Sequence, residues 1–203
     1  MDDLIIRSFL MFILLCFFLV LTRHISTSRS NNRNGLKGSK TKAEKNIVLV
    51  EGVRTPFLVS GSDYKDILAH DLARGALQGL LKRTGCPKDA VDYIVFGTVI
   101  QEVKTSNIAR EAALGAGFSD KIPAHTVTMA CISSNQSITS AMGILASGGA
   151  DAVIAGGVET MSDVPIRVNR SLRKILLSLN KAKTMGARLG LLSSIRPKHF
   201  APE

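Results

Sequence analysis

Four short apolar runs punctuate residues 46 to 165, at Ile47 to Val50, Val91 to Phe96, Thr126 to Ala130 and Ala152 to Val158. Unbroken runs of β-branched and small apolar residues, bounded by turn residues, read as strands buried on both faces. Between them the apolar spacing changes to the helical period. Leu72, Ala73, Ala76, Leu77, Leu80 and Leu81 form one wide face of a helix that opens at Asp71 and ends at Lys82, Arg83, Gly85 and Pro87. Asn107 is placed to cap an Ala-rich helix through Ala109, Ala112 and Ala113. Ile138, Ala141, Met142 and Leu145 share one face of a further helix, which Gly148 and Gly149 stop. This alternation predicts an α/β unit of βαβαβαβ order, with helices on the faces of a mostly parallel or mixed sheet.

The ends of the chain follow other patterns. Phe9 to Leu21 is a charge-free apolar run of 13 residues, shorter than the roughly 18 expected of a spanning helix. Asp2 and Asp3 precede it, and residues 22 to 43 are rich in Ser, Asn and basic groups without an acidic residue. That composition suits an organelle transit peptide or a disordered linker, with an N-terminal membrane anchor as the alternative. After Pro165, Arg170, Arg173, Lys174 and Lys181 face away from Leu172, Ile175, Leu176 and Leu179. Residues 167–183 therefore predict a basic amphipathic helix, of the kind that lies on anionic membrane surfaces or, more commonly, packs as a surface helix on its own body. The expected division is residues 1–45 as an N-terminal segment, 46–165 as the core domain and 166–203 as a basic helical extension.

Charge sharpens that division. The net charge of +10 splits into 8 basic against 3 acidic residues in 1–45, 9 against 12 in 46–165 and 9 against 1 in 166–203. The body is slightly acidic, Trp is absent and aromatic residues are 5% of the chain. No helix-turn-helix, finger or stacking pattern accompanies the basic ends, which argues against nucleic acid as a partner. Cys16, Cys86 and Cys131 are an odd set without CxxC spacing. They predict neither a disulfide framework nor a metal site.

Cys131 stands where the strand pattern of 126–130 gives way to the helix pattern of 138–145. A helix start turns unpaired N–H groups and a positive dipole end outward, which favours a thiolate nucleophile. Ser133, Ser134, Ser137 and Ser140 follow it, leaving room for a ligand to approach backbone. Cys86, in a Thr-Gly-Cys-Pro turn, reads as structural.

Val127-Thr128-x-x-Cys131-Ile132-Ser133-Ser134-Asn135-x-Ser137-Ile138 resembles the acyl-enzyme signature of the thiolase family. Gly156-Gly157-Val158-Glu159-x-Met161-Ser162 and Gly52-Val53-Arg54-Thr55-Pro56-Phe57 are similar to further thiolase segments, so the resemblance covers residues 46 to about 196. It implies a thiolase-like fold, of which this chain holds the N-terminal half and the start of a helical loop domain. It also implies a mitochondrial acetyl-CoA C-acyltransferase of fatty acid β-oxidation, acting on 3-ketoacyl-CoA and CoA without a bound cofactor or metal. Cys131 is then the acyl-thioester nucleophile and its backbone N–H an oxyanion donor. Expected partners are a second thiolase subunit, with Asn107 and Arg110 at the dimer interface, and the α subunit of a β-oxidation complex.

The family's other catalytic groups, a His that activates the nucleophile, a further His or Asn and a second Cys, belong to its C-terminal half. His24, His70, His125 and His199 sit in no matching motif. The expectation is an N-terminal fragment, inactive alone. The alternatives are an inactive subunit serving as a dimerisation module, and a condensing enzyme of the ketoacyl synthase type, against which Arg54-Thr55-Pro56 and Gly156-Gly157-Val158-Glu159 argue.

Overall fold

The computed structural model describes residues 46–165 and 168–200. They fall into two compact units that divide between Val164 and Pro165. The apolar run Phe9 to Leu21 and the basic stretch after it lie outside the described residues. No helix among the described residues is long and apolar enough to cross a membrane.

In the first unit, helix α1 (Ala69–Thr84) precedes β1 (Tyr93–Gly97), α2 (Ile108–Gly115), β2 (Ala124–Val127), α3 (Ser133–Ser147) and β3 (Val153–Gly157). The sheet has the order β2-β1-β3 and both pairings are parallel. Successive side chains of β1 point to opposite faces, and the two cores follow from that. Ile94 and Phe96 join Ile154 and Val158 beneath α1 and α2. Val95 joins Val153 and Ala155 beneath Ala141 and Leu145 of α3.

The helix boundaries have local causes. Gly85 closes α1 in the left-handed conformation, its N–H donating to Leu81 O, and Gly148 ends α3 the same way. Asn107 caps α2 by accepting from Arg110 N–H, while its amide donates to Ala124 O.

Three expectations need correction. The run Ile47 to Val50 forms no strand: Ile47 and Val53 pack against the two cores, but Val48, Leu49 and Val50 are exposed. Apolar content proposes a strand, yet only a hydrogen-bonding neighbour makes one, and among the described residues this segment pairs with no strand. The sheet among the described residues is therefore three-stranded and all parallel, neither mixed nor led by a first strand. The run at 126–130 becomes β2 at Ala124–Val127, half-buried because it is an edge strand, and Thr128 to Ala130 are exposed.

The second unit contains α4 (Arg170–Lys181), capped by Asn169, and α5 (Met185–Ser193), capped by Thr184; the two helices pack on each other. Leu172 alone among the described residues of this unit is buried. Leu176 and Leu177 of α4 and Met185, Leu189 and Leu192 of α5 are exposed.

Candidate active site

All three strands end at the same side of the sheet, the side where ligands bind in parallel α/β folds. The chain leaves β2 there, and Met129 to Ile132 form a tight turn before α3 begins at Ser133. Ser133 closes that turn. Its buried hydroxyl accepts from Met129 N–H at 2.8 Å and donates to Ala130 O at 2.6 Å. Ile132 N–H and Ser133 N–H complete it by donating to Met129 O and Ala130 O. Ala130 is held at φ +46°, in the left-handed region that a non-glycine residue rarely adopts. Cys131 follows directly, exposed, one residue ahead of the N-cap Ile132. Cys131 thus occupies the strand–helix hinge on the turn itself, just outside the first helical turn.

Two glycines set this turn against the sheet. A Cβ on Gly97 would run into the Ser133 carbonyl, and one on Gly157 would run into the Ser134 hydroxyl. The N-terminus of α3 thus sits directly on the carboxyl ends of β1 and β3. Ser137 lies fully buried between them, its hydroxyl 2.6 Å from Ser134 O and 2.7 Å from Gly156 O. The buried face of α3 runs through Ser133, Ser137, Ala141 and Leu145. Met142, counted on the apolar stripe by spacing, is exposed. Hydroxyls that satisfy strand-end carbonyls displaced the purely apolar stripe that the pattern suggested.

The histidines stay apart from the cysteine in their bonding. His125 packs edge-on against Tyr93 with Nδ1 3.2 Å from the tyrosine hydroxyl, His70 lies 3.8 Å from Asp71, and His199 accepts from Arg196 N–H. His24 is outside the described residues. Among the described residues, no side chain hydrogen-bonds the Cys131 sulfur, and no group of three His, Cys, Asp or Glu is arranged to hold a metal ion. Arg110 is half-buried, and its guanidinium donates to Ile122 O and Asp120 O. Burial pushes the Cys86 thiol up from its ordinary value, and the Asp89 carboxylate adds to the rise.

The N-terminal domain model of the thiolases matches residues 47–201. The chain belongs to the thiolase family. It is 69% identical over 170 residues to the mouse mitochondrial trifunctional enzyme subunit beta, covering 82% of this chain and 36% of that protein. It is 54% identical over 181 residues to a probable 3-ketoacyl-CoA thiolase of Caenorhabditis elegans, covering 89% of this chain and 40% of that one. In three dimensions it resembles the acetyl-CoA acetyltransferase of Bacillus anthracis, with a TM-score of 0.57 and 29% identity over 77% of this chain and 33% of that one. The chain therefore spans about a third of the length of these thiolase relatives.

Spacing alone does not reveal the close approaches at Gly97 and Gly157 or the turn bonds of Ser133. Glycine at the end of an apolar strand run is the signal available, because it marks places where other backbone approaches closely.

Proposed function

We propose that this chain carries the nucleophile of an acetyl-CoA C-acyltransferase, a 3-ketoacyl-CoA thiolase of mitochondrial fatty acid β-oxidation. The observation that carries the reading is an exposed Cys131 on a constrained turn over the carboxyl ends of parallel strands, in a chain of this family. Cys131, having lost its proton, attacks C3 of a 3-ketoacyl-CoA. The C2–C3 bond breaks, C2 takes a proton and acetyl-CoA leaves, while the shortened acyl group stays on sulfur. A CoA thiol then attacks that thioester, giving the shortened acyl-CoA and restoring Cys131, so two easier steps replace one. The Cys131 backbone N–H, ahead of α3, serves as an oxyanion donor. No prosthetic group takes part.

In this reading residues 1–45 are the targeting segment, 46–165 the N-terminal core and 166–203 the start of the loop domain. The partners are a second thiolase subunit and the α subunit of a β-oxidation complex. Residues 167–183 supply a surface for the anionic inner membrane. Exposed Leu176 and Leu177 beside Arg173, Lys174 and Lys181 support that role. Each basic group near such a surface contributes on the order of 1 kcal/mol, screened by salt. Sedimentation with liposomes should depend on cardiolipin content and on salt; independence from both would remove the membrane role.

A second reading, an inactive subunit that contributes only a dimer surface, draws support from the absence of a base on Cys131 among the described residues. Incubation with acyl-CoA followed by peptide mass mapping separates the two. An acyl adduct on Cys131, absent in Cys131→Ala, supports the nucleophile; an unmodified Cys131 supports the inactive subunit.

A further inference from the structure

Glu159 is a buried acidic residue at the same end of the sheet, and the acyl-transfer steps do not use it. It follows β3 and is 8% exposed, and its carboxylate accepts from Val99 N–H at 2.7 Å and Ile100 N–H at 3.2 Å. Burial raises its pKa above the ordinary 4.5, while the amides of Val99, Ile100 and Thr160 pull it back. The Thr98 hydroxyl acts in the same downward direction, although it is buried outside good hydrogen-bond geometry. A carboxylate kept in such a place is destabilising unless it is bonded, and what it bonds is the backbone leaving β1.

That backbone leads to the cysteine turn. Thr98 N–H donates to Val127 O at 3.2 Å, and Thr98 O accepts from the Thr128 hydroxyl at 2.8 Å. Thr128 immediately precedes Met129, whose N–H is bound by Ser133. From the other side Val158 N–H donates to Gly97 O at 3.0 Å. The exit of β1 is thus gripped by Val158 and Glu159 after β3 and by Val127 and Thr128 at the end of β2.

We propose that Glu159 is a positioning residue for the Cys131 turn, acting through the Thr98 to Ile100 backbone and the Thr128 hydroxyl. The inference rests on Cys131 being the nucleophile, but its test needs no turnover, so its failure is distinct from failure of the acyl-adduct experiment. The test is amide hydrogen exchange on the full chain. In Glu159→Ala, Val99 and Ile100 should lose protection by on the order of tenfold or more, Met129 should fall with them, and Ile94 and Val95 in the core should not. Glu159→Gln, which keeps one acceptor oxygen, should restore part of the protection at all three sites together. Thr128→Val should lower Met129 while leaving Val99 and Ile100 unchanged, and it decides the matter if Glu159→Ala fails to fold. Met129 protection unmoved in Thr128→Val, or unmoved in Glu159→Ala while Val99 opens, would overturn the proposal.

Discussion

Gly97 faces the backbone of Ser133 so closely that no side chain fits between β1 and the start of α3. This contact fixes how far the Cys131 turn stands above the sheet. Gly97→Ala places a methyl group against backbone, which cannot yield as a side chain can. Overpacking of this kind costs about 1–3 kcal/mol, so urea unfolding should show a loss in that range or above it. A change near zero would mean that α3 seats differently.

Cys131 should be alkylated faster than Cys86. Cys131 is exposed, whereas Cys86 is half-buried with its thiol pKa raised by burial and by Asp89. At neutral pH a raised pKa leaves less thiolate to react. Iodoacetamide labelling of the folded chain, mapped by mass spectrometry, gives the order directly, and faster labelling of Cys86 would contradict it.

Asn107→Ala should destabilise the first unit by about 1–2 kcal/mol, the range for losing an N-cap. The side chain also donates to Ala124 O and accepts from the Thr126 hydroxyl, so the upper part of that range is expected. The urea midpoint is the readout; an unchanged midpoint would show that water replaces the cap.

Glu159 makes stability depend on pH with a definite sign. Its folded-state pKa lies above the ordinary 4.5, chiefly through burial, so the folded chain binds the proton more tightly than the unfolded chain. Its contribution is fully present below the unfolded value and is lost as pH rises through the folded value. Relative to Glu159→Gln, the native chain should gain stability as pH falls from about 7 to about 4. A constant difference between the two would show that burial does not dominate at this carboxylate.

Expressed alone, these 203 residues should release no acetyl-CoA from 3-ketoacyl-CoA above a Cys131→Ala control. Positioned acids and bases typically supply about 100- to 10,000-fold for such proton transfers, and among the described residues none hydrogen-bonds the Cys131 sulfur. Turnover above the control, in material free of full-length thiolase, would reveal a base within this chain.

By itself the sequence determined the elements whose cause is local. The apolar face of α1, the Gly85 and Gly148 stops, the Asn107 cap and the place of Cys131 between strand and helix all follow from period, capping chemistry and turn residues within a few positions. The family was legible too, because the residues around Cys131 form one short contiguous motif. Tertiary structure decided what depends on partners distant in the chain. Ile47 to Val50 has strand composition but no ladder, and Ser133 and Ser137 are buried because strand-end carbonyls and turn groups accept or donate there. Gly97, Gly157 and Glu159 act across 23 to 60 residues of sequence. A hydrogen bond or a steric limit of that reach exists only once β1, β3 and α3 have met, so no window of the sequence contains it.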